Sequence, residues 1–437
     1  MNRSIKAVLG VAAAATLALA GCSSGNEPPA AEPFPTGEVT ITLAGWSLAS
    51  TPEFQTLKEG FEALHSNVTV ELVEYDAANY DTQMIADLTA GTAPDIYVQK
   101  NLKNFYTYQD GGQLVDVSDV ASRLPAGTGG LDFYKVDGKA YAIPYRQDSW
   151  VLYYNKDMFD AAGVDYPDGT WTWDDYADAA KAISAALQTS DPTVFGTYQH
   201  RWQSTVQGFA LAQSKGASLD SGDYDWLKPY YERVVGIQAA KGQVDHGTSQ
   251  TGNLRYQDMF GKQKAAMLPM GTWYVATLLA DREAGNADEF AWGLAPAPQF
   301  DSSTAGTDKT PVTFGDPTGL GINPAIADGA KLTVAKEFLA YAASIEGAKA
   351  LAAIGITPAN TSDEVVATYF ALDGIATDDL SKFAWGKHNT LPENPVSEYT
   401  AALQNILNDL HTAVMTGSAS IDEAIATAEQ RAKDEVL

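Results

Sequence analysis

The sequence predicts an α/β protein, and three observations carry the prediction. Strand-like and helix-like segments alternate from Val39 to Val98. Helical periodicity then dominates after residue 200, with short apolar strands interspersed. The chain has 437 residues, enough for a large core and more than one typical domain.

Taken in order, the first element is a leader. Arg3 and Lys6 precede an apolar run, Ala7 to Ala20, ending in Leu19-Ala20-Gly21-Cys22. A positive n-region with a short apolar core is the pattern of a secretory signal, here residues 1–21. The run is shorter than the roughly 20 apolar residues that a membrane-spanning helix needs. Residues 22–36 are rich in Ser, Pro and Ala without periodicity and read as a tether.

Val39 to Leu43 is β-rich and leads to Trp46. Thr51 and Pro52 then offer an N-cap and a first-turn proline for a helix with Phe54, Leu57, Phe61 and Leu64 on one face. Val68 to Tyr75 alternates as a second strand, Tyr80 to Leu88 is helical and stops at Gly91, and Ile96 to Val98 is a short buried strand. Extended segments follow at Ala140–Pro144 and Trp150–Tyr154. Thr172 and Asp175 have capping-box spacing before a helix through Leu187. Helices are expected at 202–213, 226–238, 256–261, 270–284, 332–343, 346–353, 399–414 and 419–433, with a small strand at 265–268. The Pro-rich run 295–298 reads as a crossover.

Charge and cysteine use narrow the function. A formal net charge of −27 repels nucleic acid and anionic headgroups, although acidity also serves solubility alone. Cys22 is the single cysteine, so the chain has no disulfide framework and no thiolate metal site. No G-x-S-x-G elbow and no G-x-x-x-x-G-K-[ST] loop occurs. The five histidines lack H-E-x-x-H spacing, and Asp168-Gly169 with Asp174-Asp175 lacks the calcium-loop pattern. No metal, cofactor or catalytic residue is therefore expected. Paired acids for glycoside hydrolysis are not excluded by composition, because 55 acidic residues guarantee some pair.

In open α/β sheets ligands sit beyond the C-terminal ends of strands. That rule alone selects Trp46 after the first strand, and Gln99, Lys100 and Asn101 after the third. Their chemistry, a flat aromatic face beside amide and cationic groups, suits a polyhydroxylated ligand.

Ordered motifs across nearly the whole chain then resemble a known family. Leu19–Cys22 resembles the lipobox of bacterial lipoproteins, in which this Cys becomes the diacylated N-terminus. Gly91-Thr92-Ala93-Pro94-Asp95-Ile96, Tyr141-Ala142-Ile143-Pro144 followed by Leu152–Asp157, Thr170–Trp173, Phe260–Met267, Leu332–Glu346 and Gly355–Pro358 resemble, in order, motifs of the carbohydrate-binding (family 1) extracellular solute-binding proteins of bacterial ABC importers. The resemblance implies a type II two-lobed fold, with a hinge and a ligand cleft between the lobes. It implies crossings near Arg146–Asp148, near Leu294 and after Pro358, hence one lobe from 37–147 plus 294–360 and another from 148–293 plus 361–437.

It also extends the list of ligand residues. Asp148 stands where the family carries an acidic sugar ligand, with Arg146 and Ser149 beside it. Trp202 and Gln203 precede a helix expected to face the cleft, and His200 reads as a hydrogen-bonded structural histidine. Trp273, after Gly271-Thr272, stands at the family's stacking aromatic, and Asp316 lies in a turn before the strand Leu320–Ile322. Trp385 and Tyr399 find no place by this reasoning. The implied function is a monomeric, lipid-anchored, extracytoplasmic receptor that passes a sugar to a transmembrane permease. The alternatives are a polyol or glycerophosphodiester receptor and a secreted glycoside-processing enzyme. The residues after Pro94-Asp95-Ile96 depart from the pattern of maltose-binding protein, which counts against maltose itself.

Overall fold

The computed structural model describes residues 33–49 and 51–437. The leader, Cys22 and most of the tether lie outside the described residues. No helix among the described residues is long and apolar enough to cross a membrane.

Nine strands build two sheets: β1 (Val39–Trp46), β2 (Val68–Tyr75), β3 (Ile96–Gln99), β4 (Ile143–Gln147), β5 (Trp150–Asn155), β6 (Phe195–Thr197), β7 (Ala265–Gly271), β8 (Trp292–Pro296) and β9 (Pro317–Ile322). The first sheet has the order β2-β1-β3-β9-β4, and the second β8-β5-β7-β6. In the first, β1 runs parallel to β2 and β3, while β9 runs antiparallel to β3 and β4. In the second, β5 is antiparallel to β7 and β8, and β6 is parallel to β7. Every residue of β3, β5, β7, β8 and β9 is buried. Helices cover both faces, so these strands read as continuous apolar runs instead of alternating ones.

Each sheet has its own core. Ile41, Leu43, Phe61, Ile96 and Phe338 belong to the first, and Leu152, Tyr153, Phe209, Met267 and Trp292 to the second. The helix Glu53–Leu64 buries Phe54, Leu57 and Phe61 but leaves Leu64 55% exposed, so its apolar stripe is one residue shorter than expected. The capping box forms: Thr172 and Asp175 exchange hydrogen bonds at the start of Trp173–Leu187. A second one, Ser420 with Glu423, opens the last helix, Ile421–Glu435.

Three expectations change. Leu294 is not at a crossing. It pairs with Tyr153 within β8 and lies in the second core, because Trp292–Pro296 completes that sheet's edge despite its proline. The run 295–298 is thus partly strand, and the chain returns to the first sheet only between Phe314 and Pro317. Met270 and Gly271 finish β7, so the following helix starts at Tyr274. Asp316 is likewise followed at once by β9, with no turn up to Leu320. The short elements Phe195–Thr197, Asp363–Tyr369 and Asp379–Gly386 carry too few turns for a periodic signal and were not expected.

Three connections join the two sheets. The first runs from β4 through Asp148 into β5. The second passes Gly315, where a Cβ would lie 2.1 Å from the Asp148 carbonyl oxygen, so only glycine allows these two connections to touch. The third runs beside β4, where Gln147 N donates to Thr357 O (3.2 Å) and Ala359 N to Tyr145 O (3.0 Å). Beside them, short strands Val312–Phe314 and Asn389–Leu391 pair in parallel.

Candidate ligand-binding site

The site candidates gather where the two sheets point their ends at each other. The C-terminal ends of β1, β3 and β4 and the start of β9 carry Trp46, Gln99–Asn101, Arg146 and Asp316. The opposing ends of β6 and β7 and the start of β5 carry His200–Gln203, Thr272–Trp273 and Asp148–Ser149. This is the location that strand polarity predicts.

The centre is an ion network. Arg146 donates from Nε to Asp148 Oδ2 at 2.7 Å and from Nη1 to Glu53 Oε2 at 2.5 Å. Glu53 is fully buried in the first turn of its helix, where Tyr145 also donates to it at 3.3 Å. The other oxygen of Asp148 accepts from Thr272 Oγ1 at 2.9 Å, which joins the first connection to the end of β7. Burial disfavours the Arg146 cation, but the charges of Asp148 and Glu53 outweigh it and hold its pKa above the ordinary value. Two of its three nitrogens are thus taken by the protein's own carboxylates.

An aromatic shelf stands beside it on the second lobe. Trp202 is 41% exposed, the largest such opening of a tryptophan here. Its ring meets His200 edge-on at 4.5 Å and Tyr256 at 5.7 Å. Trp273 is half-buried and meets Trp150 edge-on at 5.5 Å. Gly271 makes that pose possible: a Cβ there would sit 1.8 Å from Trp273 Cζ3. Burial raises the Tyr256 hydroxyl's pKa, while a hydrogen bond with the Trp273 indole and the Arg146 charge act against the rise.

Other candidates are occupied within the protein. Trp46 is only 9% exposed, packed edge-on against Phe54 and Tyr80, with Lys100 Nζ 4.9 Å over its ring. Lys100 Nζ itself donates to Ala77 O, and burial lowers its pKa against the pull of Asp81. Asn101 donates to Asp81 at 2.6 Å. Gln99 is fully buried, its Nε2 against Gly321, so it has no face on the cleft. Gln203 donates to the side chain and backbone of Gln404. Asp316 accepts from Glu393 N, Asn394 N and Asn394 Nδ2. The structure thus joins Arg146 with Asp148 and brings both Trp202 and Trp273 to Tyr256. It gives Trp46, Gln99, Asn101, Gln203 and Asp316 internal partners or cover.

His200 is a buried structural histidine, hydrogen-bonded to Tyr198 at 3.2 Å. Trp385 is buried against Tyr369, 4.6 Å between rings, and faces no cleft. Sequence reasoning missed Glu53, Tyr256, Thr272 and Glu393. Glu53 carried the signal of an ordinary first-turn acid, and its partner lies 93 residues away. Among the described residues no cluster of three or more metal-ligating side chains forms. A small cavity under the helix Trp173–Leu187, lined by Trp173, Tyr176, Gln199 and Tyr230, lies inside the second core and not between the sheets.

Two lobes with separate sheets, joined by three connections and meeting at a ring of polar and aromatic strand ends, define a two-lobed solute-binding protein of type II. The chain belongs to the family described as bacterial extracellular solute-binding protein, whose model matches residues 45–349. It is similar to a sugar transporter from Rhizobium etli seen in an open conformation, with 31% identity, a TM-score of 0.77, and coverage of 91% of this chain and 99% of that one. A Listeria monocytogenes ABC substrate-binding protein in complex with cycloalternan shares the fold, with a TM-score of 0.73 at 21% identity over 90% of this chain and 98% of that one. The diacetylchitobiose binding protein DasA of Streptomyces coelicolor is 26% identical over 97% of this chain and 96% of its own. A Brucella abortus relative, named as a binding protein, is 24% identical over 62% of this chain and spans 66% of its own length, just under two thirds.

Proposed function

We propose that this chain is the substrate-binding subunit of an ABC importer for an uncharged sugar or short oligosaccharide. The observation that carries this reading is the shelf of Trp202, Tyr256 and Trp273 beside the Arg146–Asp148 pair. Indole faces suit the apolar faces of pyranose rings, and fixed carboxylate and hydroxyl groups suit their hydroxyls. Of the cations at these strand ends, Arg146 is held by two carboxylates, Lys100 by a carbonyl and Arg201 by the Asn253 amide, so only Arg201 lacks a carboxylate or backbone carbonyl partner, which weighs against a phosphate-bearing solute. The names of relatives support a saccharide: diacetylchitobiose for DasA, and melibiose, raffinose and stachyose for a Bacillus subtilis protein 24% identical over 82% of this chain.

The lobes are taken as 37–147 plus about 317–360, and the remainder, with the ligand in contact with both only when they close. Ligand binding then shifts the population toward the closed form that a permease recognises. The receptor is not a catalyst, works as a monomer outside the cytoplasm and is held to the membrane by lipid on Cys22. The test is a thermal-shift screen of residues 23–437 against neutral mono-, di- and oligosaccharides, polyols and glycerophosphodiesters. A ligand at 100 times its Kd adds about 2.7 kcal/mol. A shift with one sugar class, and the sugar recovered intact, is expected. Shifts with charged solutes alone, or consumption of the sugar, would sink the proposal.

A further inference from the structure

A segment of the second lobe reaches across to the first. It runs from Glu393 to Tyr399 and leads into the helix Thr400–Met415, whose Leu403, Ile406 and Leu407 belong to the second core. Val396, in the middle of the segment, packs instead against the first core. In return, the first-lobe turn Leu102–Asn104, which follows β3, packs on the helix Thr400–Met415. The two lobes therefore touch along a seam beside the second connection.

The second-lobe side of this seam is acidic. Asp316 accepts from Glu393 N at 2.9 Å, Asn394 N at 3.2 Å and Asn394 Nδ2 at 2.6 Å, which fastens the root of the segment to the second connection. The Glu393 carboxylate accepts from Ser204 Oγ, at the start of the helix Ser204–Gln213 and next to Trp202 and Gln203. Gln404 Nε2 donates to Glu393 O at 3.2 Å, and Gln203 Nε2 donates to Gln404 O at 3.3 Å. Glu393 thus braces the root of the aromatic shelf. The donors to the two carboxylates are a hydroxyl, an amide and two backbone N–H groups. All of these are neutral, so they satisfy the oxygens without balancing the charge.

The first lobe supplies the opposite sign. Lys103, on the turn Leu102–Asn104, is the cation whose field reaches Glu393. Its neighbour Tyr106 faces the same segment: Asp110, burial and, from the second lobe, Glu398 raise its phenol. Lys103 therefore stands on one side of the seam and Asp316, Glu393 and Glu398 on the other. Complementary charges across an interface fix its register and slow its separation.

We propose that Lys103 is a positioning residue for lobe closure, its ammonium meeting the Glu393 carboxylate as the lobes close while Val396 stays seated on the first core. The pair ties the first lobe to Ser204, and through it to the root of the Trp202 shelf. The proposal rests on the hinge-closure reading above. It gives neither Lys103 nor Glu393 a contact with ligand.

The test uses residues 22–437 with Cys22→Ala, then Glu59→Cys and Glu232→Cys as spin-label sites, one exposed position on each lobe. Burial raises Asp316 from 3.8 to about 6, and burial with the Asp316 charge raises Glu393 from 4.5 to about 7, so the measurement is made at pH 8, where both are largely ionised. Pulsed electron resonance reads the ratio of short to long interlobe distances without ligand. That ratio is expected to fall about two- to fivefold in Lys103→Met, the range of a partly exposed ion pair. It is expected to fall equally in Glu393→Gln, which keeps an acceptor for Ser204. The double variant should fall no further than either single one, and Lys103→Arg should keep the parental ratio, which separates a lost charge from a damaged turn. An unchanged ratio in Lys103→Met, or losses that add in the double variant, overturns the pair. Diacetylchitobiose and raffinose are then added to each protein as probes. If a probe shortens the parental distance while Lys103→Met matches the parent with and without it, the pair fails and closure stands. If neither probe nor variant changes the distance, both readings fail.

Discussion

Arg146 Nε lies 2.7 Å from Asp148 Oδ2, two residues further along the chain, and that ion pair spans the first connection between the lobes. Glu53 holds the same guanidinium from the first lobe, and Thr272 holds the same carboxylate from the second. The hinge is thus chained through four side chains from one helix N-terminus to the end of β7. An ion network of this kind costs desolvation, and its removal leaves charges without partners.

Arg146→Met should therefore destabilise the protein by about 3–5 kcal/mol, because Glu53 and Asp148 stay buried and unpaired. Urea denaturation checks this. A loss under about 1 kcal/mol, the range of exposed pairs, would mean that the network is solvated in solution.

The shelf separates binding from stability. Trp202→Ala should weaken sugar binding with little change in unfolding midpoint, since the ring is 41% exposed. Trp273→Ala should weaken binding by roughly 2 kcal/mol or more as a stacking anchor. Titration calorimetry with the sugar found by thermal shift decides it. Unchanged affinity in a folded Trp273→Ala protein removes that residue from the site.

Gly271→Ala probes the same anchor without touching it. The added Cβ would stand 1.8 Å from the Trp273 ring, so the indole must leave its pose. The expected result is affinity close to that of Trp273→Ala, with the β7 pairing of Trp150 to Gly271 retained. Wild-type affinity would show that the pose is not the one that binds.

Much of the fold was legible because its strongest elements announce themselves locally. Val39–Leu43, Val68–Tyr75 and the Thr172 capping box are set by propensity and capping over a few residues. The site was legible only in part. Strand polarity located the facing strand ends, but not which side chains remain free there. Trp46 and Gln99 sit at the right strand ends yet turn into the first core, and Asn101 is taken by Asp81, 20 residues earlier. Glu53, Thr272 and Glu393 act through partners 93, 124 and 189 residues away, a separation that no local pattern encodes. The late return to the first sheet was hidden for a related reason: Trp292–Pro296 is held as a strand by Tyr153 and Val151, not by its own Pro-containing sequence.

Lipid anchoring is tested outside the described residues. Cys22→Ala should release the protein from the membrane fraction into the medium or periplasm, without altering sugar affinity. Cell fractionation and metabolic labelling with a fatty acid check it. Continued membrane association of Cys22→Ala would refute the anchor.

The second lobe carries a built-in sensitivity to acid. His200, His246 and His411 are all buried, and the rings of His246 and His411 lie 5.5 Å apart. His411 Nδ1 is 3.0 Å from Tyr231 Oη, and His200 supports the edge of Trp202. Burial first, then the charge of Arg201 or of a neighbouring histidine, pushes His200 and His411 down to about 3 and lowers His246. Above the ordinary pKa of 6.5 all are neutral in both folded and unfolded chains, and stability does not depend on them. As pH falls below 6.5 the unfolded chain takes up protons that the folded lobe refuses, so stability is lost progressively down to about pH 3. By pH 5 each of the two strongly shifted histidines costs about 2 kcal/mol. His411→Asn should flatten the fall of the unfolding midpoint between pH 7 and pH 5 by that amount, after comparison of each protein with itself at pH 7. An unchanged slope would mean that His411 titrates in the folded state near its ordinary value.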